Sequence, residues 1–227
     1  MVPKRIASAI MNSLKGGVVP RVGLGYIAVG REKEIDALLH DIEIVQNGGA
    51  SFRFIVGRYG SGKSFLLQTI RNYAMDRGFV VVDADLSPER RFTGSQKQGL
   101  ATYRELMKNM STKTKPDGGA LPLILEKWIY AIQQEVMREK ELSAFDEKLS
   151  FEVELKIFET VGELKQLVHG FDFAKALSIY WHAYRDGNEE NKSNVLRWFR
   201  GEYSTKTEAK RDLGLSEIIT DSNWYDY

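Results

Sequence analysis

Gly57-Arg-Tyr-Gly-Ser-Gly-Lys-Ser64 is the stretch that decides how this chain is interpreted, because it matches the pattern G-x-x-x-x-G-K-[ST] at every fixed position. The run before it, Ser51-Phe-Arg-Phe-Ile-Val56, is rich in aromatic and β-branched residues, which predicts a buried strand. The run after it, 63–76, has an apolar face with helical spacing, formed by Leu66, Ile70, Tyr73 and Ala74. The pattern therefore stands in the order that it requires, which is strand, glycine loop, helix.

A loop of this composition can bind a chain of phosphates. Gly57, Gly60 and Gly62 can adopt backbone angles closed to other residues, so that successive N–H groups turn toward an anion, and the start of a helix adds positive potential. Lys63 is expected to reach the β- and γ-phosphates, and the Ser64 hydroxyl to bind Mg²⁺. The predicted ligand is thus a nucleotide with Mg²⁺; that this nucleotide is ATP or ADP is implied only by family resemblance. Arg58, Tyr59 and Ser61 occupy variable positions and are expected to contribute mainly main-chain amides, and Phe65 completes the predicted nucleotide-binding set.

Composition describes an ordinary soluble protein of one large or two small domains. The 227 residues contain 32 Lys and Arg against 31 Asp and Glu, a net charge of +1, so charge gives no argument for nucleic acid as a partner. There are no cysteines, which excludes disulfides and thiolate metal sites and fits a reducing, cytoplasmic compartment. No apolar run approaches the roughly 20 residues needed to cross a bilayer.

Beyond the loop the pattern predicts one further strand and then helices. The run 79–83 is apolar and β-branched, so 51–83 predicts a parallel strand–helix–strand unit and an α/β fold. We therefore expect a nucleotide-binding core over residues 1–110 and a mainly helical region over 111–227. That region should bury Trp128, Trp181 and Trp198 and end in a helix with a capping box of Thr205 and Glu208. Three apolar stripes mark its longer helices: Leu125, Trp128, Ile129, Ile132 and Val136; Phe151, Leu155, Phe158, Val161 and Leu164; Phe173, Leu177, Tyr180 and Tyr184.

A second acidic element, expected of a nucleotide hydrolase, is hard to find. Such enzymes hold Mg²⁺ and activate water with an apolar strand that ends in Asp or Asp-Glu. The run 79–83 follows the loop helix too directly, and 216–221 is short and poorly apolar. We therefore expect the sheet core to be incomplete and the chain to be the N-terminal part of a longer ATPase. The chain itself is expected to bind nucleotide, and its hydrolysis stays open.

The segment Val29-Gly-Arg-Glu-Lys-Glu34 resembles the opening of AAA+ ATPases of the origin-initiator and signal-transduction types. In those families the residues just upstream line the adenine pocket. The resemblance implies a P-loop NTPase core of the AAA+ or RecA-like kind, and it implies that Tyr26 and Ile27 border the base.

More of the chain resembles the ATP-binding proteins of BREX-type bacterial phage-defence systems. The resemblance lies in the glycine loop and three further stretches: Pro20-Arg-Val-Gly-Leu-Gly25, Ala28-Val-Gly-Arg-Glu32 and Val82-Asp-Ala-Asp-Leu-Ser87. It implies an ATPase domain that couples nucleotide state to conformational change or assembly in the cytoplasm. The partners that it implies are the nucleotide, further copies of the chain or proteins of a defence complex, and no membrane.

Two other functions compete with this one. Asp83 and Asp85 form an Asp-x-Asp directly after the second predicted strand, which resembles the substrate- and metal-binding pair of shikimate-kinase-like enzymes. Against a small-molecule kinase, some fifty residues precede the loop and carry the Val-Gly-Arg-Glu element. The third function is a scaffold that ATP gates without turnover.

Overall fold

The chain separates into two compact units in the computed structural model, which describes residues 2–93, 97–162 and 170–227. The first unit comprises Met1–Val81 and Thr112–Pro116, and the second comprises Val82–Ser111 and Asp117–Tyr227. The first contains α1 (Lys4–Lys15), a 3-10 turn (Leu24–Tyr26), α2 (Glu32–Gln46) and α3 (Lys63–Asp76). The second contains α4 (Gln98–Lys108), α5 (Leu121–Glu139), α6 (Leu149–Gly162), α7 (Gly170–Asp186), α8 (Glu189–Phe199), α9 (Lys206–Leu213) and a 3-10 turn (Trp224–Asp226).

The first unit is built around α3, against which both α2 and the 3-10 turn pack. Leu66 and Met75 of α3 are buried, as is Leu24 of the turn. Asn72 of α3 donates from Nδ2 to the carbonyl of Arg21 at 2.9 Å, which ties the segment before the turn to the helix. The helix predicted over 63–76 is confirmed with the same bounds. The glycine loop that ends at its N-terminus is therefore attached to a packed helix.

The predicted α/β fold, with a parallel-sheet core of the P-loop NTPase type (AAA+ or RecA-like), is wrong: the part of the chain that the structure describes is mostly helical and has no strand. The runs 51–56 and 216–221 are irregular, and 79–83 forms no strand beyond an isolated bridge residue, Val81. Phe52, Phe54 and Val56 are 82, 81 and 92% exposed, so nothing described covers this face. A β-branched and aromatic run fits a pleated, half-buried surface, but it forms a strand only where a neighbouring strand completes its hydrogen-bond ladder. None of the three runs has such a neighbour among the described residues.

The second unit is a helical assembly in which successive helices α5 to α9 pack against one another. Trp181 and Trp198 are both 1% exposed, which confirms their prediction as core residues, and Trp128 packs against the same cluster while partly buried. The other large fully buried side chains include Tyr180, Ile129, Ile157 and Leu215. None of the described helices is long and apolar enough to span a bilayer.

The predicted capping box at the start of α9 is formed in part. Thr205 Oγ1 accepts from the backbone N–H of Glu208 at 3.2 Å, and the Glu208 carboxylate accepts from the N–H of Ser204 at 3.4 Å. The carboxylate thus reaches the residue before the N-cap rather than the N-cap itself. The helix ends at Leu213, with Gly214 as its C-cap residue.

Candidate functional site

The glycine loop joins the irregular run 51–56 to α3 through a tight turn. The N–H of Ser61 donates to the carbonyl of Arg58 at 3.1 Å, which closes the turn. Gly60 and Gly62 have φ values of +78° and +82°, in the left-handed region that glycine enters at little cost. A Cβ atom on Gly57 would collide with the Ser61 side chain. The backbone of the loop therefore requires glycine at 60 and 62, whereas a side chain at 57 would have to displace the Ser61 hydroxyl.

Lys63 places its ammonium group at the mouth of this loop. Its Nζ atom donates to the carbonyl of Gly57 at 2.9 Å and to that of Arg58 at 3.0 Å. The side chain of the first residue of α3 is thus folded back over the residues that precede the helix. A positive charge, the loop backbone and the helix N-terminus come together at this point.

The N-terminus of α3 carries no side-chain cap. Gly62 is the N-cap residue, and the first turn contains no acidic side chain. The first hydrogen bond of the helix runs from the N–H of Leu66 to the carbonyl of Gly62 at 3.0 Å. The N–H groups of Lys63, Ser64 and Phe65 precede it, and such groups, with the helix dipole, favour an anion.

The other side chains of the predicted set point outward or belong to α3. Tyr59 is fully exposed, and Arg58 and Ser64 are also exposed. The Phe65 carbonyl accepts from Thr69 Oγ1 at 2.8 Å, so Phe65 already belongs to the regular helix. These positions contribute backbone to the loop, and Ser64 adds an accessible hydroxyl one residue after Lys63.

Arg31 is a contact of the loop that sequence reasoning missed. It is the N-cap residue of α2, and its Nη2 atom donates to the carbonyl of Ser61, 30 residues further along. Its Nη1 atom donates to Glu34 Oε1 at 3.0 Å. The pKa of the Glu34 carboxyl is lowered, first by a hydrogen bond from the backbone N–H of Glu34 itself and then by the hydrogen bond from Arg31. The signal was present in the Val-Gly-Arg-Glu segment, but sequence alone does not show that Arg31 meets the loop.

The two predicted adenine-pocket residues are placed differently. Tyr26, 52% exposed, lines a pocket of about 380 Å³ on the side of α3. Ile27 is half-buried and closes the 3-10 turn by donating from its N–H to the Leu24 carbonyl at 3.0 Å, but it is not among the lining residues. The residues that line the pocket with Tyr26 are Gly23, Leu24, Gly25, Thr69, Asn72, Tyr73 and Asp76.

Comparison with known families matches residues 2–227 to the BREX system ATP-binding protein BrxC/D. The chain belongs to this family. The resemblance to BREX-type ATP-binding proteins is thereby confirmed, and with it the assignment of the chain to an ATP-binding family of that defence system. No curated protein and no solved structure matches the chain.

The residues of this BrxC/D family member fit a nucleotide phosphate at one place that the structure describes. Two left-handed glycines, the Lys63 ammonium group and the uncapped start of α3 form a donor set without a carboxylate, as an anion requires. Within the described ranges no three side chains of His, Cys, Asp or Glu are grouped so as to hold a metal. The site therefore suits phosphate oxygens, which can in turn carry a metal.

Asp83 and Asp85 of the BrxC/D chain belong to the second unit, whereas the loop belongs to the first. The Asp83 carbonyl accepts from Asn109 Nδ2 at 3.0 Å, and the Asp85 carbonyl accepts from Arg90 Nε at 3.0 Å. Both residues thus take part in the local structure through their backbones. These contacts give no support to a kinase-type pair.

Proposed function

We propose that this chain binds ATP with Mg²⁺ at the loop Gly57–Ser64 and the first turn of α3. The observation that carries the proposal is the position of Lys63, whose ammonium group lies against the Gly57 and Arg58 carbonyls where an uncapped helix begins. The family supplies the ligand class, and the loop is the place in the chain whose chemistry suits it. It falls within the nucleotide-binding core expected over residues 1–110.

Each group has a role that its chemistry defines. The backbone N–H groups of Gly60 and of the four residues from Gly62 to Phe65 hydrogen-bond phosphate oxygens, while the Ser61 N–H keeps its bond to the Arg58 carbonyl. The α3 dipole favours the negative charge of the phosphates. Lys63 exchanges its two carbonyl acceptors for phosphate oxygens, which bind an ammonium more strongly because the hydrogen bond is then charge-assisted on both sides. The side chains of Arg58 and Tyr59 remain in solvent.

Mg²⁺ arrives with the nucleotide in this proposal. The described residues offer no carboxylate cluster for a metal, and Mg²⁺ commonly keeps several water molecules and binds through substrate phosphates. The Ser64 hydroxyl, exposed and next to Lys63, is the protein ligand that the loop provides. The nucleotide with Mg²⁺ supplies phosphate groups that can be cleaved, and residues of the protein bind and orient these phosphates.

The base lies on the Tyr26 side of α3. The pocket of about 380 Å³ is formed by Tyr26 and residues of α3, the same helix whose first turn holds the phosphates. Pockets for small ligands typically begin at about 300 Å³, so its volume suits a purine. Ile27 would support this wall by closing the 3-10 turn.

Binding at this place is suited to change the conformation of the first unit. The loop lies between α2 and α3, and Arg31 of α2 contacts its backbone. In a cytoplasmic defence complex, or between copies of the chain, such a change would couple nucleotide state to assembly. A scaffold without turnover would use the same site, and a measurement of phosphate release distinguishes it from an ATPase.

Titration of the chain with Mg-ATP tests the proposal. Lys63→Ala should weaken binding about 10- to 150-fold, which corresponds to the 1.5–3 kcal/mol of a hydrogen bond to a charged group. Lys33→Ala is the matched control, because Lys33 is an exposed lysine of α2 and its replacement changes the net charge equally. Equal affinities of the two variants would show that the loop is not the nucleotide site.

A further inference from the structure

We infer that Arg31 is a positioning residue of the glycine loop, and that it sets the orientation of the peptide group between Ser61 and Gly62. The inference deepens the proposed function and rests on it for its consequence in nucleotide binding. Its structural part, that Arg31 holds the loop, rests on contacts alone. Arg31 reaches the loop from the start of α2, across 30 residues of sequence.

The guanidinium group bridges two fixed acceptors. Nη2 donates to the Ser61 carbonyl, and Nη1 donates to Glu34 Oε1 at 3.0 Å. The Arg31 side chain is 37% exposed and that of Glu34 is 45% exposed. Glu34 lies three residues later on the same helix, so it holds one branch of the guanidinium fork while the other branch meets the loop. The fork is planar and rigid, and a lysine ammonium at this place could not serve both acceptors with the same geometry.

The contact with a carbonyl has a consequence for the neighbouring N–H group. A peptide group is planar and trans, so its C=O and N–H bonds point in opposite directions. When Arg31 holds the Ser61 carbonyl on its own side, the N–H of Gly62 must point to the other side. Gly62 is the N-cap of α3 and has φ +82°, a conformation in which its peptide could otherwise rotate at little cost. Arg31 therefore removes a freedom that the glycine introduces.

The Gly62 N–H is one of the donors proposed to bind phosphate, so its fixed direction lowers the ordering cost when an anion binds. Pre-organised donors raise affinity by this route without any contact to the ligand. The Arg31 Nη2 atom also lies only 3.3 Å from the position that a Cβ atom on Gly62 would occupy, so the guanidinium group approaches the loop closely. The expected effect of Arg31 is thus specific to the phosphates, and it should not extend to the base.

Two measurements on the whole chain test the inference, with Lys33→Ala as the control for charge. The first needs no nucleotide: trypsin cleaves after Arg58, in the exposed turn, and mass spectrometry follows that bond. Arg31→Ala should increase its cleavage rate several-fold, since the loop loses its anchor, whereas Lys33→Ala should not. The second compares affinities for Mg-ATP and adenosine. Arg31→Ala should weaken Mg-ATP binding about tenfold, or about 1.4 kcal/mol, and leave adenosine binding unchanged.

Two further variants separate positioning from general damage. Arg31→Lys should restore only part of the Mg-ATP affinity, because one ammonium cannot span Glu34 and Ser61. Glu34→Gln keeps Arg31 but weakens its second hydrogen bond. Its Mg-ATP affinity and its cleavage rate after Arg58 should therefore lie between those of the wild type and of Arg31→Ala. The same variant replaces Arg31→Ala in the test if Arg31→Ala does not fold. The inference is overturned if Arg31→Ala behaves as Lys33→Ala in proteolysis, or if faster proteolysis comes with unchanged Mg-ATP affinity. If the wild-type chain does not bind Mg-ATP, the proposed function is refuted. The proteolysis result would still decide whether Arg31 holds the loop.

Discussion

The carboxylate of Asp172 accepts a hydrogen bond from the backbone N–H of Glu217 at 2.7 Å, although 45 residues separate them. Asp172 lies in the first turn of α7 and is only 5% exposed. The same carboxylate accepts from Ser216 Oγ at 3.1 Å, and the Glu217 carbonyl accepts from Trp198 Nε1 at 2.8 Å. A segment without regular structure is thus fixed to α7 and α8 by polar contacts.

Asp172→Ala should lower the free energy of unfolding by about 2–4 kcal/mol. It removes hydrogen bonds to a charged acceptor and leaves the half-buried Glu217 N–H without that partner. Each such loss costs about 1–3 kcal/mol. Urea unfolding, followed by tryptophan fluorescence, measures the change. Asp186→Ala is the control, because Asp186 lies at the exposed end of the same helix and pairs with its neighbour Arg185. Similar losses in both variants would mean that the buried carboxylate is not an anchor.

Tyr203 should make the second unit sensitive to alkaline pH. Burial, reinforced by the Asp212 carboxylate, raises the pKa of Tyr203 to about 12, against about 10 in an unfolded chain. Between these values the unfolded state releases a proton that the folded state keeps. The contribution to stability is therefore complete below pH 10 and is lost as the pH rises toward 12. Burial also raises the pKa values of Tyr103, Tyr180 and Tyr227, so several residues add to the slope.

Urea unfolding between pH 9 and pH 11 checks this. Tyr203→Phe should lose stability less steeply with rising pH than the wild type, without becoming flat. Tyr130→Phe, which alters an exposed tyrosine of α5, should keep the wild-type slope. A Tyr203→Phe slope equal to that of the wild type would exclude Tyr203 as a source of the effect.

Helices were predictable from the sequence because their signals are local. The period of apolar residues predicted α3, and the Thr205 and Glu208 pair predicted the start of α9. Which face of a helix is buried was less predictable. In α6 the predicted stripe is wrong for Phe151 and Leu155, which are 61 and 41% exposed. It is confirmed for Phe158, which packs against the core cluster, and for Val161, which is buried, while Leu164 lies outside the described residues. The buried face holds Leu149, Val153, Ile157 and Val161. Both sets have helical spacing, so periodicity alone could not choose between them.

The strand predictions were wrong for the opposite reason, because a strand depends on a partner that can lie far away in the sequence. Phe52 and Phe54 contact each other edge to face, with ring centroids 4.9 Å apart, while both remain about four-fifths exposed. The β propensity of Phe52 and Phe54 indicates that they would suit a pleated, half-buried surface, but it does not indicate whether the fold provides one. The left-handed backbone at Gly60 and Gly62 was predictable, because it depends only on local backbone angles. The contact of the loop with Arg31 was not, because it joins residues 30 positions apart.

Tyr26 should contribute to the affinity for ATP through the base alone. If the base stacks on or beside Tyr26, Tyr26→Ala should weaken ATP binding about tenfold, since aromatic contacts with bases contribute about 1–3 kcal/mol. Binding of inorganic triphosphate should not change, because that ligand lacks the base. Tyr130→Ala is the control, as Tyr130 is similarly exposed at 55% against 52% for Tyr26. Equal weakening for ATP and triphosphate would place the base elsewhere and Tyr26 in a structural role.

Ser64 should matter only when Mg²⁺ is present. Its hydroxyl is exposed in the first turn of α3, one residue after Lys63, and it is the candidate protein ligand of a metal carried by the phosphates. Titration with ATP in EDTA and in Mg²⁺ gives the gain in affinity that the metal provides. Ser64→Ala should reduce this gain about tenfold, or about 1.4 kcal/mol, and leave the affinity in EDTA at the wild-type value. Ser64→Thr keeps a hydroxyl and should keep most of the gain. If Ser64→Ala instead lowers both affinities equally, Ser64 supports the loop and does not bind the metal.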